Sequence, residues 1–309
     1  MTPSVIWRVV DVTKIKCIHV GHVEIFSSTG LLITLVEFRP FKKMSAVEVK
    51  QWDELPKFLF FGRKFTDPVE ANGELMEGFI FAIAWCKCST KDNQFGIYGS
   101  LGRIEDAKDE WQKRDSNPSL VGCILGQSSQ YVGDKFVPNI PTCYKSLGVP
   151  SFDQVKYEAN ISAIKGEFEF ASALTFTMKG FNNSSIVDRD AFLYALGTEF
   201  KPDKRTGQIQ RDVSKQCIGG KLIFPNEQFW IDLSKNHGLS QLKWASSTFY
   251  HYNDAAQDNE ITNLVGISAQ FSRRLAPTMW LKSHTYYEMG MGVGYCIRDG
   301  NTISSQLEE

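Results

Sequence analysis

The chain has 309 residues, with 34 Lys+Arg against 35 Asp+Glu, 42% apolar, 13% aromatic and 22% charged. That length suits one large domain or two ordinary ones, and the composition excludes a disordered, fibrous or low-complexity chain. A formal charge of −1 removes any case for coating nucleic acid by bulk charge, so no nucleic-acid partner is expected.

The first residues, Met1-Thr-Pro-Ser-Val-Ile-Trp-Arg, lack the basic start and long apolar stretch of a secretory signal. The longest clean apolar run, Phe79 to Trp85, covers seven residues, far short of the roughly 20 that a spanning helix needs. A helical membrane protein is thereby excluded. A membrane β-barrel is not, because alternating strands never build a long apolar run. Seven scattered cysteines, an odd set with no secretory signal, read as reduced thiols.

Along the chain, residues 31–38, 58–65, 75–88, 95–104 and 120–125 read as strands. Residues 44–57 form the best helix candidate, with Met44, Val47, Trp52 and Leu55 roughly on one side. The charged stretch 105–117 reads as a solvent-facing loop or short helix. From about Ile161 onward, two-residue alternation dominates. Phe168, Phe170, Leu174, Phe176 and Met178 share one face, with Glu167, Glu169, Thr175 and Thr177 on the other. Val265, Ile267, Ala269 and Phe271 alternate with Gly266, Ser268 and Gln270, and near the end Met289, Met291, Val293 and Tyr295 alternate with Glu288, Gly290, Gly292 and Gly294. Polar, Gly- or Asn-rich connectors separate these runs, and no convincing helix interrupts them. Strand, short turn and strand in sequence imply an antiparallel meander, so the C-terminal half reads as all-β.

Local chemical motifs are weak. Cys86-x-Cys88 lacks a second pair, and a strand would turn His19 and His22 to opposite faces. Gly290-x-Gly-x-Gly294 lies within a strand near the C-terminus, without the following helix that a dinucleotide loop requires. No nucleophile elbow, P-loop or zinc-binding helix occurs. The residues recommend no catalytic residue, no metal site and no cofactor, and the chain reads as something other than an enzyme.

Two C-terminal segments carry a family resemblance. Asn263-Leu-Val-Gly-Ile-Ser-Ala-Gln-Phe-Ser-Arg-Arg-Leu-Ala-Pro277 is similar to a penultimate barrel strand with a basic pair and Leu-x-Pro in its turn. Glu288-Met-Gly-Met-Gly-Val-Gly-Tyr295 then matches a mitochondrial β-barrel sorting signal, with Glu288, Gly290, Val293 and Tyr295 in the defined places. The last third thus resembles the mitochondrial porin superfamily, which includes the voltage-dependent anion channel and the pore subunit of the outer-membrane protein translocase.

That resemblance implies a closed antiparallel meander β-barrel of about 19 strands. The 240 residues from Phe58 to Ile297 come near what such strands need. The division would be an N-terminal extension at 1–57 with the helix at 44–57, a barrel at 58–298 and a tail at 299–309. It further implies a channel in the mitochondrial outer membrane, surrounded by membrane lipid and passing preproteins or metabolites. The protein-conducting pore is preferred, on Arg273-Arg274-Leu-Ala-Pro, the near-neutral charge and the long extension, with small helical translocase subunits as partners. Glu167, Glu169 and Glu288 become acidic lumen candidates, whereas a metabolite channel would expose Lys282, Arg298 and Lys243. Pattern alone leaves another arrangement open: a soluble β-sandwich or soluble barrel, cytoplasmic, binding a hydrophobic ligand or a protein partner. In that arrangement the same apolar face packs a core.

Overall fold

The computed structural model describes residues 6–9, 17–69, 76–87, 95–113, 118–133, 171–188, 192–270, 295–299 and 302–306. Its strands are β1 (Ile6–Val9), β2 (Cys17–Ile18), β3 (His22–Phe26), β4 (Leu32–Pro40), β5 (Met76–Lys87), β6 (Phe95–Tyr98), β7 (Ala173–Asn183), β8 (Ala195–Phe200), β9 (Ile218–Phe224), β10 (Phe229–Asp232), β11 (Gly238–Trp244), β12 (Tyr252–Gln257), β13 (Val265–Gln270), β14 (Tyr295–Asp299) and β15 (Thr302–Gln306). Five helices accompany them: α1 (Ala46–Trp52), α2 (Glu54–Gly62), α3 (Leu101–Asp106), α4 (Lys108–Lys113) and α5 (Pro118–Gly133).

Eleven strands join in the order β1-β3-β4-β11-β8-β13-β7-β5-β6-β14-β15, and four in the order β12-β9-β10-β2. Chain neighbours are rarely sheet neighbours: β4 pairs with β11, and β8 lies between β11 and β13. Among the described residues the two ends of the large sheet, β1 and β15, do not pair, so the sheet is open. The closed meander barrel of about 19 strands is therefore corrected. Alternation specifies a ribbon with two unlike faces; it says nothing about closure, and long connections displaced sequential pairing.

Each face of the large sheet is covered. On one, Phe81, Ile83, Leu174, Phe176, Val265 and Ile267 pack beneath Trp52, Leu55 and Leu59 of the first two helices and Val121, Ile124 and Leu125 of α5. On the other, Val23, Ile25, Ile33, Leu242 and Trp244 pack against Leu222, Phe224, Phe229 and Ile231 of the small sheet. Parity accounts for the split: in β11, Leu239 joins the first cluster, while Leu242 and Trp244 join the second. The apolar rows expected to meet hydrocarbon are the inside of the protein, with Leu174 and Phe176 both 0% exposed.

Over 44–57 the chain forms α1 and the start of α2. Ser45 caps α1, its Oγ accepting from the Glu48 N–H at 3.1 Å. Of the stretches expected as strands, 58–65 lies in α2 and a 3-10 turn after it, 95–104 is strand only to Tyr98 and then enters α3, and 120–125 lies in α5. Val121, Ile124 and Leu125 are spaced to bury one helical stripe, and so short an apolar run does not by itself distinguish strand from helix.

Asp53, between α1 and α2, is only 4% exposed and ties the helical layer to a distant loop. Its carboxylate accepts from the Ile209 N–H at 2.9 Å and from the Arg211 guanidinium at 2.5 Å. Asp53→Ala leaves that buried N–H unpaired and is expected to cost about 2–3 kcal/mol. Urea unfolding will check this, with Asp53→Asn, which keeps one acceptor, falling in between.

Candidate active site

Where β7 ends, the chain is zipped to the entry of β12. The Asn183 side-chain oxygen accepts from the Asn253 N–H at 2.9 Å. Ile186 and His251 then exchange both backbone hydrogen bonds, at 2.9 and 3.0 Å, as a directly opposed antiparallel pair. Two residues on, the Asp188 N–H donates to the Ser246 carbonyl at 2.8 Å. An i, i+2 step along extended chain places both side chains on one face, so Asp188 arrives beside His251. The His251 Nε2 and Asp188 Oδ2 atoms are 3.5 Å apart.

The imidazole is held from three sides. Nδ1 lies 3.0 Å from the Phe249 carbonyl, which can only accept, so Nδ1 carries the proton and Nε2 keeps its lone pair. The Trp244 indole N–H donates to that Nε2 at 3.2 Å, with the two rings edge to face. Phe224 lies beside the ring at 6.2 Å. Gly197 makes room for the indole: a Cβ there would come within 2.9 Å of it. His251 is 4% exposed.

These groups line a pocket of about 110 Å³ between the two sheets, shared with Thr175, Thr177, Glu199, Asn253, Gly266 and Ser268. The pocket wall is thus the polar row that alternates with the buried apolar row in β7 and β13. Glu199 stands opposite Gly266 in the ladder, and its carboxyl occupies the space where a Cβ at Gly266 would lie. Burial pushes its pKa up to about 8, with Lys201 pulling weakly the other way. Among the described residues no lysine or arginine lines the pocket.

The residues singled out from sequence lie elsewhere. Glu167, Glu169, Lys282, Glu288, Gly290 and Val293 fall outside the described residues. Tyr295 and Arg298 lie in β14, their backbones paired with Gln306 and Ile303. Lys243 is buried in β11, its ammonium 4.7 Å above the Tyr194 ring, and burial lowers its pKa to about 8. His22 of the His19-x-x-His22 pair is bound to Glu37 at 2.6 Å, away from the pocket. Sequence reading missed Asp188, Glu199, Trp244 and His251. Asp188 and His251 are far apart in the chain, and only the bridge at Ile186 brings them together.

The family model described as the Tet-like 2OG-Fe(II) oxygenase superfamily matches residues 45–253. No curated protein sequence matches the chain. Among solved structures, a prolyl-4-hydroxylase of Pseudomonas putida is 10% identical with a TM-score of 0.34, over 78% of this chain and 93% of that one. An oxidoreductase of the 2OG-Fe(II) oxygenase family from Burkholderia pseudomallei is 11% identical with a TM-score of 0.35, over 78% and 88%. A dioxygenase for auxin oxidation from Arabidopsis thaliana, in complex with 2-oxoglutarate, is 8% identical with a TM-score of 0.29, over 84% and 92%. At TM-scores under 0.5, none of these three bears on the fold or the reaction.

The family match overturns the porin resemblance and, with it, the channel, pore and translocase readings. It also overturns the reading as something other than an enzyme, and the alternative of a simple ligand- or partner-binding β-protein, because the matched family is one of oxygenases. The mitochondrial outer-membrane location rested on the barrel and falls with it. Among the described residues no helix is long and apolar enough to cross a membrane. The motifs behind the porin resemblance are short and loose, and any glycine-rich alternating strand can satisfy them.

Whether this chain's residues fit the metal and cosubstrate of that class is a separate matter. Non-haem Fe(II) oxygenases hold iron by two histidines and one carboxylate on one face. Here Asp188 and His251 supply one of each, and the residue paired with His251 is Ile186, which has no donor atom. Among the described residues no group of three or more His, Cys, Asp or Glu side chains is gathered. The cosubstrate is a dicarboxylate, and among the described residues the pocket offers it no cationic side chain. The complete ligand set does not fit.

Proposed function

The chain belongs to the Tet-like 2OG-Fe(II) oxygenase superfamily, and on that footing we propose that it oxidises an organic substrate in the pocket of Asp188 and His251. One observation carries the assignment: a histidine with its Nε2 lone pair turned inward lies 3.5 Å from a carboxylate oxygen, inside the matched segment and between the two sheets. The Phe249 carbonyl on its far nitrogen fixes the tautomer, as such carbonyls do for metal-binding histidines, and the Trp244 indole N–H takes up the Nε2 lone pair at 3.2 Å, so a metal there would have to displace that contact. Trp244 positions the ring and, with Phe224, keeps it dry on its inner side. The hydroxyls of Thr175, Thr177 and Ser268 and the amide of Asn253 give a substrate neutral hydrogen-bonding partners.

The test is release of succinate from 2-oxoglutarate by the purified full chain with Fe(II). Only two metal-binding side chains are gathered among the described residues, so the metal is held weakly and turnover is expected only when Fe(II) is in large excess. Asp188→Ala and His251→Ala should each lower it at least about 100-fold, in the range that general catalytic groups contribute. No succinate at any metal concentration, or turnover indifferent to both substitutions, would remove the proposal.

A further inference from the structure

We propose that Ile186 leaves the metal site of this chain one ligand short, so that Asp188 and His251, whose Nε2 already accepts the Trp244 N–H, do not by themselves retain a divalent cation tightly. The inference rests on the reading of this pocket as the reaction site, and not on turnover.

Three relations in the backbone identify position 186 as the vacant place. Ile186 and His251 are directly opposed and doubly hydrogen-bonded, at 2.9 and 3.0 Å, so their side chains leave the same face of the ribbon. Asp188 follows Ile186 by two residues, which returns its side chain to that face. All three line the same pocket, and two of them already stand 3.5 Å apart at Nε2 and Oδ2. A donor at 186 would therefore share one pocket face with the other two. An isoleucine there has only aliphatic carbon to offer.

Glu199 lines the same pocket, but no third His, Cys, Asp or Glu among the described residues is gathered with Asp188 and His251. His22 is engaged with Glu37 at 2.6 Å, and the His237 Nδ1 lies 3.3 Å from the Gln216 side-chain oxygen; neither lines the pocket. The tautomer-setting contact on His251 is present while a partner ligand at 186 is not, and among the described residues no cationic side chain lines the pocket. Both departures point the same way, to a site that cannot retain metal in the manner a three-residue site does.

The probe is Co(II), titrated anaerobically into the full chain and read by calorimetry and by its visible absorption. The parent is expected to bind weakly. Ile186→His should tighten binding at least about 100-fold, since even outer partners of metal ligands change affinity by 10–100-fold. Adding Asp188→Ala to Ile186→His should remove the gain, and Ile186→Val should behave as the parent does. If Ile186→His does not fold, Ile186→Asp, a smaller donor, takes its place. Tight one-to-one binding by the parent, or a folded donor variant with no gain, overturns the inference. A donor variant that binds Co(II) tightly while no protein turns over 2-oxoglutarate would sink the oxygenase proposal and leave this one standing; tight binding with turnover by the parent would do the reverse.

Discussion

Phe176→Ala is expected to cost about 3–5 kcal/mol of unfolding free energy, the cost of deleting a fully buried aromatic ring. Phe176 is 0% exposed in the middle of β7, and its ring stacks on that of Phe81, its ladder partner, at 5.3 Å. Its ladder partner on the other side is Ile267 in β13, and α1, α2 and α5 close over the row. Close-packed neighbours relax only partly into the space a lost ring leaves, so the transfer cost and the cavity cost add. Val47 on α1, 69% exposed, supplies the contrast, and Val47→Ala should stay within about 0.5 kcal/mol of the parent. Urea unfolding followed by circular dichroism measures both. A loss below about 1 kcal/mol at Phe176 would mean that the apolar row of β7 does not lie in a core.

Glu199→Gln should make the protein more stable at pH 8 and leave it unchanged near pH 4.5. Desolvation raises the Glu199 carboxyl from 4.5 to about 8, against the opposing pull of the Lys201 ammonium. Across that window the native state holds a proton that the unfolded chain has released. Stability from this group is therefore complete below 4.5, falls as pH rises, and is exhausted above about 8. At 1.36 kcal/mol for each unit, the whole excursion is about 4–5 kcal/mol. Glutamine keeps the shape of the neutral acid and cannot ionise, so its stability profile loses this slope. Other groups titrate in the same range, His22 among them, and the difference between the two proteins at each pH cancels their contributions. Parallel profiles for parent and variant would show that the Glu199 carboxyl is not desolvated against Gly266.

The two rows of β7 were readable before any fold was known. Leu174, Phe176 and Met178 fall on one side and Thr175 and Thr177 on the other, and β13 repeats the division with Val265, Ile267 and Ala269 against Gly266 and Ser268. Each row does act as a unit in the folded protein: the apolar ones lie under helices, and the polar ones form the wall of one pocket. The porin resemblance assigned those same rows to lipid and lumen, because alternation is identical whether the oily face meets hydrocarbon or a neighbouring layer. The helix that would have settled it, α5, lay hidden in a short apolar run around Val121 and Leu125.

The candidate site was illegible for a more specific reason. A histidine two residues before Asp188 would have flagged a strand-borne metal site, and isoleucine stands there instead. His251 carries no local signature; its role comes from Trp244 lying across Gly197, from the Phe249 carbonyl, and from the backbone bridge that sets Asp188 beside it.

The sequence alone, through the period-two pattern that strand geometry imposes on side chains, determined which residues share a face. The tertiary structure decided what each face meets, whether the sheet closes, and which distant residues become neighbours. Those outcomes depend on long-range pairing, such as β4 with β11 and Ile186 with His251, which no local stretch of chain encodes.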